Sequence, residues 1–302
     1  MCGKEIFSMG KRIFLFLATN LLIIATISIV TSLLGIQPYL SERGIDYQSL
    51  MIFCLLWGFG GAFISLALSR VMAKMLMRVK VINPESAQPE LRWLVDRVYQ
   101  FSREAGLSKM PEVGIYESPE LNAFATGPTK NRSLVAVSTG LLRNMNHEQA
   151  EGVLAHEVAH IANGDMVTMT LIQGVVNAFV MFFARIIAFS LSQFVRAEMR
   201  SIVHFITVIV LDILLSFLGA IVVSYFSRQR EFRADEGGAR LAGRHKMVSA
   251  LQALKLNYQV AQSHDEDSIS TLKISGARNK FLALLSTHPP LEMRIQKLSE
   301  IA

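Results

Sequence analysis

Four long apolar runs constrain this chain more than any other feature. They cover roughly residues 13–34, 50–72, 166–191 and 202–226. Each approaches or exceeds the ~20 apolar residues needed to cross a hydrocarbon core. Whole-chain figures agree: 51% hydrophobic and 18% charged residues, with a mean hydropathy of +0.37, fit an integral membrane protein with a modest soluble part. The first run is too long for a cleaved signal peptide and no small-residue cleavage site follows it, so it is expected to stay as a span.

The flanking charges give an expected orientation. Lys4, Lys11 and Arg12 precede the first run, and Arg70, Lys74, Arg78 and Lys80 gather at the end of the second. Arg228, Arg230 and Arg233 follow the fourth. Positive charge stays on the cytoplasmic side, so residues 81–165 and 227–302 are expected to share the cytoplasm. Arg196 and Arg200 dissent mildly, beside Glu198. The net charge of +6 lies beside apolar runs rather than along one stripe, which favours lipid headgroups over nucleic acid as the partner. Cys2 and Cys54 are the two cysteines, so neither a disulfide framework nor a Cys-based zinc site is available. Arg185 and Asp212 lie inside the third and fourth runs. Ionised groups there are costly unless paired, and a structural pair between antiparallel neighbours is the favoured reading. His204 reads as a polar anchor near an interface.

Between the second and third runs the periodicity changes. Residues 89–104 carry Leu91, Leu94, Val95 and Val98 at helical spacing, which predicts an amphipathic helix. Short β-like runs follow at 113–117, 122–126 and 134–139, punctuated by Gly127-Pro128, so a small antiparallel or mixed sheet is expected. Its outer strand could accept an extended peptide by strand addition. Asn146 and Gln149, three residues apart, predict a capped helix start.

That helix carries His156-Glu157-Val158-Ala159-His160. Imidazoles at i and i+4 project from one helical face and can share one Zn²⁺. Glu157 can then take a proton from water, as in the HExxH pattern of zinc peptidases. The metzincin spacing would need a third His where Met166 stands, which excludes that class. A His₂Glu site takes a later carboxylate, and Glu231 is the candidate, with Asp235 one turn on able to receive a ligand imidazole's outer N–H. A solvated, charged helix end is the competing reading of the same run.

These residues, taken together, resemble the HtpX family of bacterial heat-shock-linked membrane zinc metalloproteases, relatives of the CAAX prenyl proteases. The likeness covers nearly the whole chain: two N-terminal spans, Asn122-Ala123-Phe124-Ala125-Thr126-Gly127, the run 135–142, the HEVAH run, Glu231 to Asp235, and Thr287-His288-Pro289-Pro290 with Arg294. It implies one zinc per chain on His156, His160 and Glu231, with Glu157 as catalytic base and Asp235 as the supporting carboxylate. It also implies that Asn122, Ala123 and Phe124 face substrate, although an ordinary buried strand would read the same way. For His288 and Arg294 two readings stand: an imidazole over the cleft that stabilises an oxyanion, or a helix-starting turn whose Arg294 pairs a nearby acid.

The expected fold is therefore a mainly α integral membrane protein with about four transmembrane helices and an α+β, gluzincin-like zincin domain facing the cytoplasm. Its expected divisions are 1–80, 81–165, 166–226 and 227–302. The resemblance implies membrane-protein quality control in the bacterial inner membrane, with damaged or unassembled membrane proteins as substrates. Copies are also expected to cut one another when unfolded loops are exposed. A non-catalytic scaffold or chaperone competes, but structural zinc closes with four protein ligands, usually including Cys. Prenyl-protein processing shares the chemistry but needs a larger enclosed chamber, for which four spans are too few.

Overall fold

A computed structural model describes residues 29, 40–41, 44–85, 88–266 and 284–300. The first expected span, 13–34, lies outside the described residues except for Ile29. Helix α1 (Tyr47–Leu76), α5 (Asp165–Ser192) and α6 (Arg200–Ala242) contain the three stretches, among those described, that are long and apolar enough to cross a membrane. Their outer surfaces are apolar too: in α6 only 6% of the most apolar window is buried. A helix exposing that much hydrocarbon is stable in lipid rather than in water. The chain is a membrane protein.

Two compact units divide the chain: Met1–Leu66 with Met169–Val223, and Ala67–Thr168 with Ser224–Ala302. In the first, strands β1 (Leu40–Ser41) and β2 (Gly44–Ile45) form an antiparallel pair ahead of α1. Arg185 Nη1 stands 3.7 Å from Asp212 Oδ1, and the guanidinium lies over the Phe53 ring at 5.6 Å. The pairing expected from the sequence is present.

The second unit is built on a four-stranded mixed sheet in the order β3-β4-β6-β5. Here β3 is Lys80–Val81, β4 Glu112–Tyr116, β5 Ala123–Thr126 and β6 Leu134–Ser138. β4 and β6 run parallel, while β5 pairs antiparallel to β6 and, among the described residues, has no strand on its other edge. Every residue of β6 is buried, as a central strand covered on both faces requires. Helix α2 (Pro89–Glu104) opens on a proline, whose missing N–H costs nothing there. It buries Leu94, Val95, Val98 and Phe101 against Val113, Val135 and Val137 of the sheet and Leu154, Val158 and Ile161 beyond.

Those last three belong to α4 (His147–Asn163), which follows the short α3 (Thr139–Asn144). The capping box at its start is complete: Asn146 Oδ1 accepts from Gln149 N at 2.9 Å, and Gln149 Oε1 accepts from Asn146 N at 3.1 Å. Its end is equally defined. Gly164 takes φ 71°, the left-handed C-cap, a conformation that costs a residue with a Cβ. Lys130 Nζ bonds the carbonyl of Ala162. α7 (Arg244–Glu266) packs along α4, and α8 (Leu291–Glu300) packs on α7.

One element differs from the sequence expectation. The helix that carries the fourth apolar run does not stop where the run does, near 226; α6 continues unbroken to Ala242, so Glu231 and Asp235 stand on the same helix as that run. Gly237 and Gly238 do not break it, because their missing side chains are what its packing needs. A methyl on Gly237 would stand 2.8 Å from Ala159 Cβ, and one on Gly238 3.1 Å from His156 N. The glycine pair lets α6 lie directly against α4.

Candidate metal centre

That close approach sets the geometry of the centre. His156 and His160 point from the last two turns of α4, and Glu231, on α6, meets them. Nε2 of His156 lies 3.1 Å from Nε2 of His160. Glu231 Oε1 is 3.3 Å from His160 Nε2, and Oε2 is 3.6 Å from His156 Nε2. A tetrahedral zinc with bonds of about 2.0–2.1 Å spaces neighbouring ligand atoms about 3.3 Å apart, so the three separations bracket what one ion requires. All three residues are buried, and their donor atoms lie within 4.8 Å of one another. Glu231 Oε1 is buried with no hydrogen-bond donor aligned on it. A carboxylate oxygen left in that state is costly unless a cation takes it up. The residues fit a metal.

Each imidazole is held from behind. His156 Nδ1 is 3.0 Å from Asp235 Oδ1, at ion-pair distance without the alignment of a good hydrogen bond. Asp235 is in turn gripped by Arg294, through Nε to Oδ2 at 2.8 Å and Nη2 to Oδ1 at 2.6 Å. His160 Nδ1 is 2.6 Å from Oδ2 of Asp165. Asp165 was not among the residues that sequence reasoning singled out. The available signal was an acid immediately after an Asn-Gly turn, where the chain folds back on the helix it has just left.

The surroundings are strongly negative. Burial opposes charge on His160, but the Asp165 and Glu231 carboxylates outweigh it and lift the imidazole to about 9. His156 is raised too, with burial again overcome by Asp235 and Glu231. Glu231 is driven far below the ordinary carboxylate range, its burial outweighed by the imidazoles of His156, His160 and His288 that crowd its two oxygens. The field that holds protons on the histidines is the field that would hold a metal cation.

His288 and Arg294 fall beside the same carboxylate. His288 Nδ1 is 2.8 Å from Glu231 Oε2 while its side chain stays 61% exposed. Arg294 Nη1 is 3.4 Å from the same oxygen. The geometry matches the reading in which Arg294 pairs an acid near a helix start, and it ties His288 to the Glu231 carboxylate. Glu157 turns into a cleft of about 520 Å³ whose rim includes Asn122, Ala123 and His288. Among the described residues its carboxylate makes no hydrogen bond, which leaves both oxygens free for a water proton. Asn122 and Ala123 thus reach the cleft, while the Phe124 ring packs 5.6 Å from Tyr116 in a separate cluster.

Residues 85–302 match the model of peptidase family M48. The chain belongs to peptidase family M48. It is 57% identical to a protease HtpX homolog of Bacillus licheniformis over 297 residues, covering 96% of this chain and 99% of that one. A protease HtpX homolog of Bacillus subtilis is 54% identical over 297 residues, covering 96% and 99%. A protease HtpX of a Shewanella species is 51% identical over 294 residues, covering 95% and 99%. The crystal structure of S. mikatae Ste24p shares the fold, with a TM-score of 0.62 at 16% identity over 97% of this chain and 65% of that one. This M48 chain is a membrane metalloprotease.

Proposed function

We propose that this M48 peptidase is a zinc-dependent endopeptidase of the bacterial cytoplasmic membrane that hydrolyses damaged, misfolded or unassembled membrane proteins and their cytoplasmic loops. The observation that carries the chemistry is Glu157, its carboxylate unengaged in the cleft that His156 and Glu231 also line. His156, His160 and Glu231 would hold the zinc, and the arginine-rich flank of Glu231 favours the cytoplasmic side. Bound zinc supplies Lewis acidity, polarising a carbonyl and bringing the pKa of water to about 7.

The rest is the work of the chain. Glu157 takes a proton from the attacking water and delivers it to the leaving amine. Asp235, fixed by Arg294, keeps the His156 ring oriented with Nε2 toward His160 and Glu231, where the ion would be held. The outer edge of β5 gives an extended backbone something to pair with beside Asn122 and Ala123. The cleft walls then choose the side chain. Leu141, Val153, Met247, Leu251 and Leu254 line it, so a large apolar residue beside the scissile bond is favoured. Unassembled membrane proteins expose such residues, whereas folded soluble proteins hide them.

The test uses the full chain reconstituted in lipid nanodiscs with zinc. The substrate is one membrane protein offered both alone and assembled with its partner subunit. Cleavage confined to the unassembled form and stopped by a chelator is expected. Equal cleavage of both forms would remove the quality-control reading, and zinc-loaded protein that cuts neither would remove the peptidase mechanism proposed here.

A further inference from the structure

We propose that Asp165 is a positioning residue of the metal centre: it orients His160 and sets how tightly the ion is held. The inference rests on the reading of His156, His160 and Glu231 as the ligand set. Three observations carry it. Asp165 is 2% exposed, a burial that an acid at an ordinary helix start has no reason to accept. Its Oδ2 lies 2.6 Å from Nδ1 of His160, shorter than a neutral hydrogen bond, as contacts to an ionised carboxylate are. Gly164, in the left-handed conformation, ends α4 and lets α5 begin on the next residue, which turns the Asp165 side chain back onto the helix that carries the imidazole.

The two histidines are supported unequally. Asp235 shares its charge with the guanidinium of Arg294 through two hydrogen bonds. Among the described residues, Asp165 has His160 as its hydrogen-bond partner and no arginine or lysine at ion-pair distance. A full negative charge on Nδ1–H places the proton there, leaves Nε2 as the free donor atom and makes that atom more basic toward a metal. Asp235 therefore works chiefly by geometry, and Asp165 by geometry and charge together.

The experiment measures the zinc dissociation constant of the full chain by competition with a chromophoric chelator. Wild type, Asp165→Asn, Asp165→Ala and Asp235→Asn are compared, with His160→Ala as the control for loss of the ligand. Asparagine keeps the shape and an acceptor oxygen and removes the charge. The expected order is a loss of affinity of about 10–100-fold for Asp165→Asn, the range known for such outer partners. A larger loss is expected for Asp165→Ala and a smaller one for Asp235→Asn.

A residue that merely starts a helix would not alter the ligand field, so the d–d absorption of the cobalt-substituted protein is recorded in parallel. A changed spectrum in Asp165→Asn, with the metal-free melting temperature held, supports the assignment. Wild-type affinity and an unchanged cobalt spectrum in both Asp165 variants would overturn it, even if they melt earlier. Wild type that binds no zinc with a site-specific affinity would overturn the ligand set as well, which separates the two failures.

Discussion

At the residue scale, the chemistry proposed for this centre depends on one carboxylate kept free and three kept engaged. Glu157→Gln preserves the volume and polarity of the side chain while removing its ability to accept a proton. Zinc content is expected to stay at the wild-type level and peptide hydrolysis to fall about 10²–10⁴-fold, the usual worth of a general base. Retained turnover would move the base elsewhere. A second expectation concerns pH. His160, raised to about 9, keeps a proton in the metal-free protein through neutral pH. The stability it lends that form is complete below its ordinary value of 6.5 and is lost as pH rises through about 9. Zinc must displace the proton, so apparent zinc affinity is expected to climb across the same window and level off above it. A flat profile from pH 6.5 to 9, measured by chelator competition, would contradict this.

Residues of this kind differ in how legible they are. His156, Glu157 and His160 can be read from a string because helical periodicity alone brings i and i+4 together. Glu231 is separated from them by the third and fourth apolar runs and could only be proposed from its chemistry and from a resemblance. Asp165 was invisible because its action depends on the sign of one φ angle at Gly164, which reverses the chain within a single residue.

At the element scale, the most informative position is the contact between α6 and α4. Helix α2, three of the four strands of the sheet and the capping box were legible because each is written in local periodicity or local hydrogen bonding; β3, two residues long, is too short to show a period. The extension of α6 past 226 was not. Charged residues and a Gly-Gly pair look like a helix end in sequence, and only the neighbouring helix reveals why they are tolerated. Gly237→Ala tests how closely the two helices are packed. Alanine gains about 1 kcal/mol of helix propensity, yet its methyl would lie 2.8 Å from Ala159 Cβ. That methyl is fixed to a helix backbone and cannot rotate away, so overpacking of about 1–3 kcal/mol is expected to win. The variant should melt earlier than wild type and bind zinc more weakly, because Glu231 and Asp235 move with α6. A higher melting temperature with unchanged zinc affinity would show that the helices have room to spare.

At the scale of the whole molecule, apolar runs in sequence correctly announced a membrane protein, because hydrocarbon length is a property a sequence displays directly. Substrate choice is less direct and depends on a cleft assembled from β5, α3, α4, α7 and the turn before α8. Its walls predict that cleavage sites, mapped by mass spectrometry on an unfolded membrane protein, are enriched in large apolar residues next to the cut bond. Leu254→Asp should weaken that preference while leaving zinc content unchanged. A site map without apolar enrichment would mean that the strand edge selects substrates without help from the cleft walls.

One cation gripped by two histidines of α4 and a carboxylate delivered by α6 is the proposal on which the others rest. Metal analysis of the purified full chain, compared with Glu231→Ala, tests it most directly. About one zinc per wild-type chain is expected, the complement of a single His₂Glu site, and loss of most of it in the variant. Full zinc stoichiometry in Glu231→Ala, with the same affinity as wild type, would contradict it.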